Sequence, residues 1–258
     1  MCSYHGGKQR IGKRLSSIIV EESLDIEHEY EFKIKGYCEP FCGMLGVYKH
    51  IPDLFDDHKP KLKYKAGDIN KSVIKMWQKA QKGWKPPISS SESEYDRLKN
   101  SKDSAIRGYI GHQYSFGGQF FNGYAPKYNK TTDSTKASQS VIDISKTLND
   151  VQFNFGSYTQ YSKLKSYIIY CDPPYDNTVS RYYKNASPKR REALSDSKLT
   201  FESEKFWNWC RKMSKDNIVF VSSYTAPKDF EEIFSSCHKL TGAGIKNRKR
   251  IEKLFLIF

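Results

Sequence analysis

Near the amino terminus apolar residues recur at helical spacing: Ile11, Leu15, Ile18 and Ile19 share one face and predict a helix over 11–20. Residues 33–38 read as a strand running straight into Glu39-Pro40-Phe41-Cys42-Gly43-Met44-Leu45-Gly46. Pro40 biases Glu39 towards an extended backbone, and the two glycines permit a tight strand-to-helix turn. A second strand, over 62–66, ends at Gly67-Asp68-Ile69-Asn70. Ile69, Val73, Ile74, Trp77 and Ala80 then fall at helical spacing, and that helix stops before Gly83 and Pro86-Pro87.

The pattern changes between 84 and 150. Ser89-Ser90-Ser91 opens a polar surface excursion. Over 109–128 the aromatics Tyr109, Tyr114, Phe116, Phe120, Phe121, Tyr124 and Tyr128 are interleaved with glycines, and Val141, Ile144 and Leu148 predict a closing helix. Strand signals return at 166–171, a β-rich apolar run that ends at Asp172-Pro173-Pro174-Tyr175. Residues 201–213 predict a helix with Phe206, Trp209, Cys210 and Met213 as its buried stripe. Further strands are expected over 217–222 and 253–258, with a helix over 226–234 between them. Strands alternating with helices indicate an α/β fold with a largely parallel sheet. Residues 1–83 and 151–258 form its two parts, and 84–150 is an insertion.

Composition narrows the function. The chain has 258 residues, enough for one large domain, and 43 Lys+Arg against 29 Asp+Glu give a net charge of +14. Residues 59–130 alone hold 15 Lys+Arg and 5 Asp+Glu. That excess points to a polyanionic partner, nucleic acid before an anionic membrane. The apolar runs are strand-sized, far short of the ~20 residues that span a bilayer. The first eight residues carry no signal-peptide pattern, so an intracellular, reducing compartment is expected. The six cysteines form no C-x-x-C pair and read as reduced thiols, with no metal site.

Asp172-Pro173-Pro174-Tyr175 carries the strongest chemical signal. A strand leads into it, and open α/β sheets place their ligands at such carboxyl ends. An exocyclic base amine is a poor nucleophile because its lone pair is delocalised into the ring. A carboxylate from Asp172 and a carbonyl from Pro173, held by the fixed φ of the prolines, would draw that lone pair back onto nitrogen. Tyr175 offers a face on which a flipped base can stack. Gly43 and Gly46 suit close backbone approach to a cofactor, and Asp68 stands 25 residues beyond Gly43. That is near the ~20-residue spacing at which an acidic side chain meets ribose hydroxyls. Gly7-Lys8 also begins a near P-loop, but Arg14 stands where Ser or Thr is required.

Taken in order, Tyr4-x-Gly6-Gly7-Lys8, Glu39-Pro40-Phe41-x-Gly43, Asp68-Ile69-Asn70 and Tyr170-x-Asp172-Pro173-Pro174-Tyr175 resemble the Dam-type DNA adenine-N6 methyltransferases. The resemblance spans nearly the whole chain and is weakest over 84–150. It implies a Rossmann-like, S-adenosylmethionine-dependent methyltransferase sheet with an inserted, mainly helical target recognition region. It also implies S-adenosylmethionine as methyl donor, no metal, and adenine in double-stranded DNA as acceptor. Tyr4, Lys8, Glu39, Phe41, Gly43, Asp68 and Asp172 match its cofactor-binding positions, and Asp172, Pro173, Pro174 and Tyr175 its catalytic loop. The second glycine of the cofactor turn is displaced by one, to Gly46. Arg107, His112, Gln113, Gln119 and Asn122 are the candidate base readers of the insertion. Cytosine N4, adenine in RNA, and an inactive nucleic-acid-binding relative are the competing readings.

Overall fold

The computed structural model describes residues 4, 6–56, 62–126, 131–174, 201–239 and 249–258. Their strands are β1 (Gly36–Glu39), β2 (Lys63–Asp68), β3 (Gln152–Phe155), β4 (Tyr167–Cys171), β5 (Ile218–Ser223), β6 (Glu231–Lys239) and β7 (Lys249–Ile257). They form one sheet in the order β3-β2-β1-β4-β5-β7-β6. The first five are parallel, whereas β7 runs antiparallel to both β5 and β6. The 3-2-1-4-5 order is that of a Rossmann-like sheet, with a topological switch point between β1 and β4. The β6–β7 hairpin closes its far edge.

The sheet's central strands are apolar on both faces because both faces are covered. Along β4, Ile168 and Tyr170 enter one core while Tyr167, Ile169 and Cys171 enter the other. Ile218 and Phe220 alternate with Val219 and Val221 in the same way on β5. The first core takes α1 (Gly12–Glu29), α2 (Ile51–Asp56), α3 (Lys71–Ala80), α4 (Glu92–Lys99), α5 (Ala105–Gln113) and α6 (Thr131–Ser145). The second is closed by Phe206, Trp209, Cys210 and Met213 of α7 (Ser203–Ser214), the stripe read from the sequence.

The insertion is mainly helical in its described part, and it is built into the first core. Tyr95, Leu98, Tyr109, Ile110, Tyr114 and Phe121 belong to the same buried cluster as Leu15 and Trp77.

Two sequence expectations fail. Residues 226–234 are not a helix: the segment from Glu231 is strand β6, and Ile233 is the extra residue of a bulge between Glu232 and Phe234. That bulge gives Phe230, Ile233 and Phe234 a helix-like spacing, while pairing with β7 decides the backbone. Ile69 is not on the buried stripe of α3. The helix begins two residues later, capped by the Asn70 side chain accepting the Ser72 N–H, and Ile69 is left 58% exposed. No helix among the described residues is long and apolar enough to cross a membrane.

Candidate active site

Four segments meet where β1, β2 and β4 end. β1 ends at Glu39, β2 at Asp68, and β4 runs into Asp172. The N-terminal segment lies over these ends and brings Lys8 to Asp172, with Nζ 2.6 Å from Oδ1 across 164 residues of sequence. Lys8 also donates to the Gly6 carbonyl at 3.2 Å and sits 3.1 Å from Glu252 of β7. Its side chain is 5% exposed. Burial on its own would lower the ammonium pKa, but Asp172 and Glu252 together outweigh it and raise the pKa.

The turn after β1 is pinned from both sides. Gly43 donates its N–H to Asp68 Oδ2 at 3.0 Å, and its carbonyl accepts from Trp77 Nε1 at 2.8 Å. Its φ of +43° suits glycine, and a Cβ there would meet the Tyr4 ring at 2.8 Å. The displaced Gly46 serves the N-terminal segment instead. A Cβ on it would stand 3.1–3.2 Å from the backbone of Lys8 and Gln9. Gln9 extends that docking by donating to the Met44 carbonyl at 2.9 Å. The turn leads into a short 3-10 helix at Tyr48–His50 and then α2 at Ile51–Asp56, so the helical part of the strand-to-helix turn begins at Tyr48.

The acidic groups are set apart by their surroundings. Glu39 is buried; burial, with Asp172 nearby, pushes its pKa up to about 8 against the opposing hydrogen bonds from the Tyr37 hydroxyl and the Tyr48 N–H. It is therefore largely a neutral acid at pH 7. Asp68 is raised by burial to about 6, held down by N–H bonds from Asn70 and Gly43. Each Asp68 oxygen accepts one of those bonds, at 2.7 and 3.0 Å, and a carboxylate oxygen has capacity for a second.

These residues fit a nucleoside-bearing cofactor. Asp68 presents acceptors suited to ribose hydroxyls. Beside it the buried Nδ2 of Asn70 has no hydrogen-bond partner among the described residues. Two exposed apolar side chains flank Asp68: Ile69, and Phe155, its register partner's side chain on β3, 51% exposed with the Lys71 ammonium over its ring. Sequence reasoning missed both. Ile69 was read as core, and nothing local distinguishes Phe155 from a buried strand residue. Among the described residues no cluster of three or more His, Cys, Asp or Glu could hold a metal ion.

The remaining expected positions spread out. Tyr4 covers Gly43 and packs on His112, ring centroids 4.6 Å apart. Phe41 turns towards the second core, stacked on Tyr158 and edge-on to Phe206. Pro173 is buried and Pro174 exposed; Tyr175 lies outside the described residues. In the insertion, Arg107 is 6% exposed and ties α4 to α5. It donates to the Leu98 and Lys99 carbonyls at 3.0 and 3.2 Å, pairs with Asp103 at 3.3 Å, and lies over Phe120 and Phe121. His112 and Gln113 are buried as well, and His112 Nδ1 contacts the Gly118 carbonyl at 2.9 Å. Gln119 and Asn122 are half-buried and bonded to each other at 2.7 Å. Arg107, His112 and Gln113, expected as base readers, are thus buried within the packing of the described residues.

No family model matches the chain. No curated protein matches its sequence. Among solved structures, the rRNA methyltransferase aviRa from Streptomyces viridochromogenes is similar over 95% of this chain and 84% of its own, at 11% identity and a TM-score of 0.38. A protein from Pyrococcus horikoshii described as a candidate RNA methyltransferase is similar over 94% of this chain and 83% of its own, at 7% identity and a TM-score of 0.35.

Proposed function

We propose that the chain transfers the methyl group of S-adenosylmethionine to N6 of adenine in double-stranded DNA. The observation that carries this reading is the Lys8–Asp172 contact beside Glu39 and Asp68, at the switch point of a Rossmann-like sheet. Four motifs that resemble those of the Dam-type enzymes, scattered along the sequence, converge on one edge.

Asp68 and Asn70 would hold the cofactor's ribose, and Ile69 with Phe155 would take its flat base. Tyr4 and Gly43 line the turn beside them. When bound, S-adenosylmethionine supplies an electrophilic methyl group on a sulfonium. Asp172 and the Pro173 carbonyl would accept the two N–H bonds of the target amine, returning its lone pair to nitrogen. Lys8, 2.6 Å away, neutralises the Asp172 carboxylate before substrate arrives. Glu39, neutral at pH 7, adds no like charge against it. Tyr175 would stack on the flipped base. Exposed Lys71, Lys79, Lys82 and Lys85 supply phosphate contacts. Gln119 and Asn122 carry the base contacts, with buried Arg107, His112 and Gln113 supporting the loop that presents them.

The test is methyl transfer from labelled S-adenosylmethionine to mixed-sequence duplex DNA and to RNA, followed by nucleoside analysis. N6-methyladenine in DNA is the expected product. N4-methylcytosine would overturn the base assignment and label confined to RNA the polymer. No transfer, with no cofactor binding, would leave an inactive nucleic-acid-binding protein.

A further inference from the structure

We propose that Glu252 is a positioning residue for Asp172, acting through Lys8 as the counter-charge that keeps this lysine in place when Asp172 turns to the substrate. The inference rests on the methyl-transfer reading above. It begins with the register of the closing hairpin. β5 pairs with β7 only from Ser223↔Lys253 to Val219↔Ile257. Glu252 is the next residue back along β7 and pairs with Ser236 of β6. Because β7 is antiparallel to β5, its early residues extend past the carboxyl end of the parallel strands, the edge that carries Asp172. Glu252 therefore reaches the site from the opposite direction to Glu39 and Asp68.

The charges explain why a second carboxylate is needed. Lys8 is 2.6 Å from Asp172 and 3.1 Å from Glu252, with the three side chains 5%, 19% and 12% exposed. Asp172 cannot give its full acceptor capacity to a base amine while it also anchors an ammonium. A buried ammonium that loses its counter-ion is strongly disfavoured, so releasing Asp172 from a lone Lys8–Asp172 pair would be opposed. With Glu252 in contact, Lys8 stays compensated and in position while Asp172 turns. Among the described residues, the other ionisable groups facing this cluster do not substitute. Burial holds Glu39 largely protonated at pH 7, and the Tyr170 hydroxyl, pushed up by burial, is shared with Ser222.

A double-mutant cycle tests the proposal. E252Q should lower kcat about 10-fold while changing S-adenosylmethionine affinity less than about 2-fold. K8Q/E252Q should be no slower than K8Q alone, because the proposed effect of Glu252 runs through the lysine. In the protein without cofactor or DNA, E252Q should lower the Lys8 ammonium pKa, because one of the two carboxylates that raise it is gone, read by NMR of labelled lysine. Glu252→Asp, which keeps the charge on a shorter arm, should lie between wild type and E252Q in kcat and serves if E252Q does not fold. Wild-type kcat in E252Q, losses that multiply in the double variant, or E252D as slow as K8Q would each overturn the proposal. Absence of transfer by the wild-type protein would instead count against the methyl-transfer reading, and the NMR titration would still decide whether Glu252 holds Lys8.

Discussion

The carboxyl edge of the sheet and the aromatic insertion use buried polar groups in opposite ways. At the edge, Lys8, Glu39 and Asp68 are buried yet poised, with pKa values moved by burial and, for Lys8 and Glu39, by the nearby Asp172. In the insertion, Arg107 is equally buried, but carbonyls, a carboxylate and two phenyl rings surround it in an arrangement that joins α4 to α5. Burial alone therefore does not mark chemistry. The edge groups come from two strand ends and the N-terminal segment to the carboxyl edge, where open α/β sheets bind ligands, whereas Arg107 contacts the end of α4, Asp103 before α5 and two rings of the loop after it.

The sharpest break in that comparison is Asp172→Ala. Methyl transfer should fall by about 10³-fold or more while S-adenosylmethionine and DNA still bind, because an interaction made chiefly in the transition state is removed. Turnover that survives in D172A would remove the catalytic assignment. Next comes Arg107→Ala, which should cost about 3 kcal/mol of stability by removing the buried guanidinium that pairs with Asp103 and donates to the Leu98 and Lys99 carbonyls. Transfer per folded molecule should stay within a few-fold; a variant that melts normally but loses DNA affinity would make Arg107 a reader of DNA and not a strut.

Asp68→Asn tests the edge more finely. Cofactor affinity should drop about 10- to 30-fold, the scale of losing charge-assisted bonds to hydroxyls. Because the Asp68 pKa is raised to about 6, wild-type affinity should also weaken as pH falls below that value. Calorimetric titration between pH 5 and 8 reads both effects, and a flat wild-type profile would detach Asp68 from the cofactor.

How much of this was legible in the sequence follows the same division. The parallel sheet, the α7 stripe and the position of Glu39, Asp68 and Asp172 at strand ends were readable, because apolar runs that stop at glycines, prolines and carboxylates carry local signals. Glu252 was not: it sits in Arg250-Ile251-Glu252-Lys253, where only the offset of β7 against β5 brings it to Lys8. The β6 segment was misread because a bulge imitates helical periodicity. Over 59–130, lysines and aromatics read together as one nucleic-acid-contacting stretch, yet Tyr95, Tyr109, Tyr114 and Phe121 are core while Lys71, Lys79 and Lys82 face solvent. Composition counts residues without knowing which side of a helix they occupy.

Glu39 gives the smallest effect and separates a poised group from a strut without any assay of activity. Its folded-state pKa of about 8 stands above the ordinary value of 4.5. Such a carboxyl favours the folded state most fully below pH 4.5 and loses that contribution as pH rises through about 8. Between pH 7 and 9 the wild-type protein should lose roughly 1 kcal/mol of unfolding free energy through this one group. Glu39→Gln keeps the shape and an acceptor for the Tyr37 hydroxyl but cannot ionise, so its unfolding free energy should be flatter over that range. Denaturant melts of both proteins at pH 7, 8 and 9 make the comparison. Parallel pH profiles would mean that Glu39 already carries its charge beside Asp172, and that the edge is held by compensation of several charges, not by one carboxyl kept neutral.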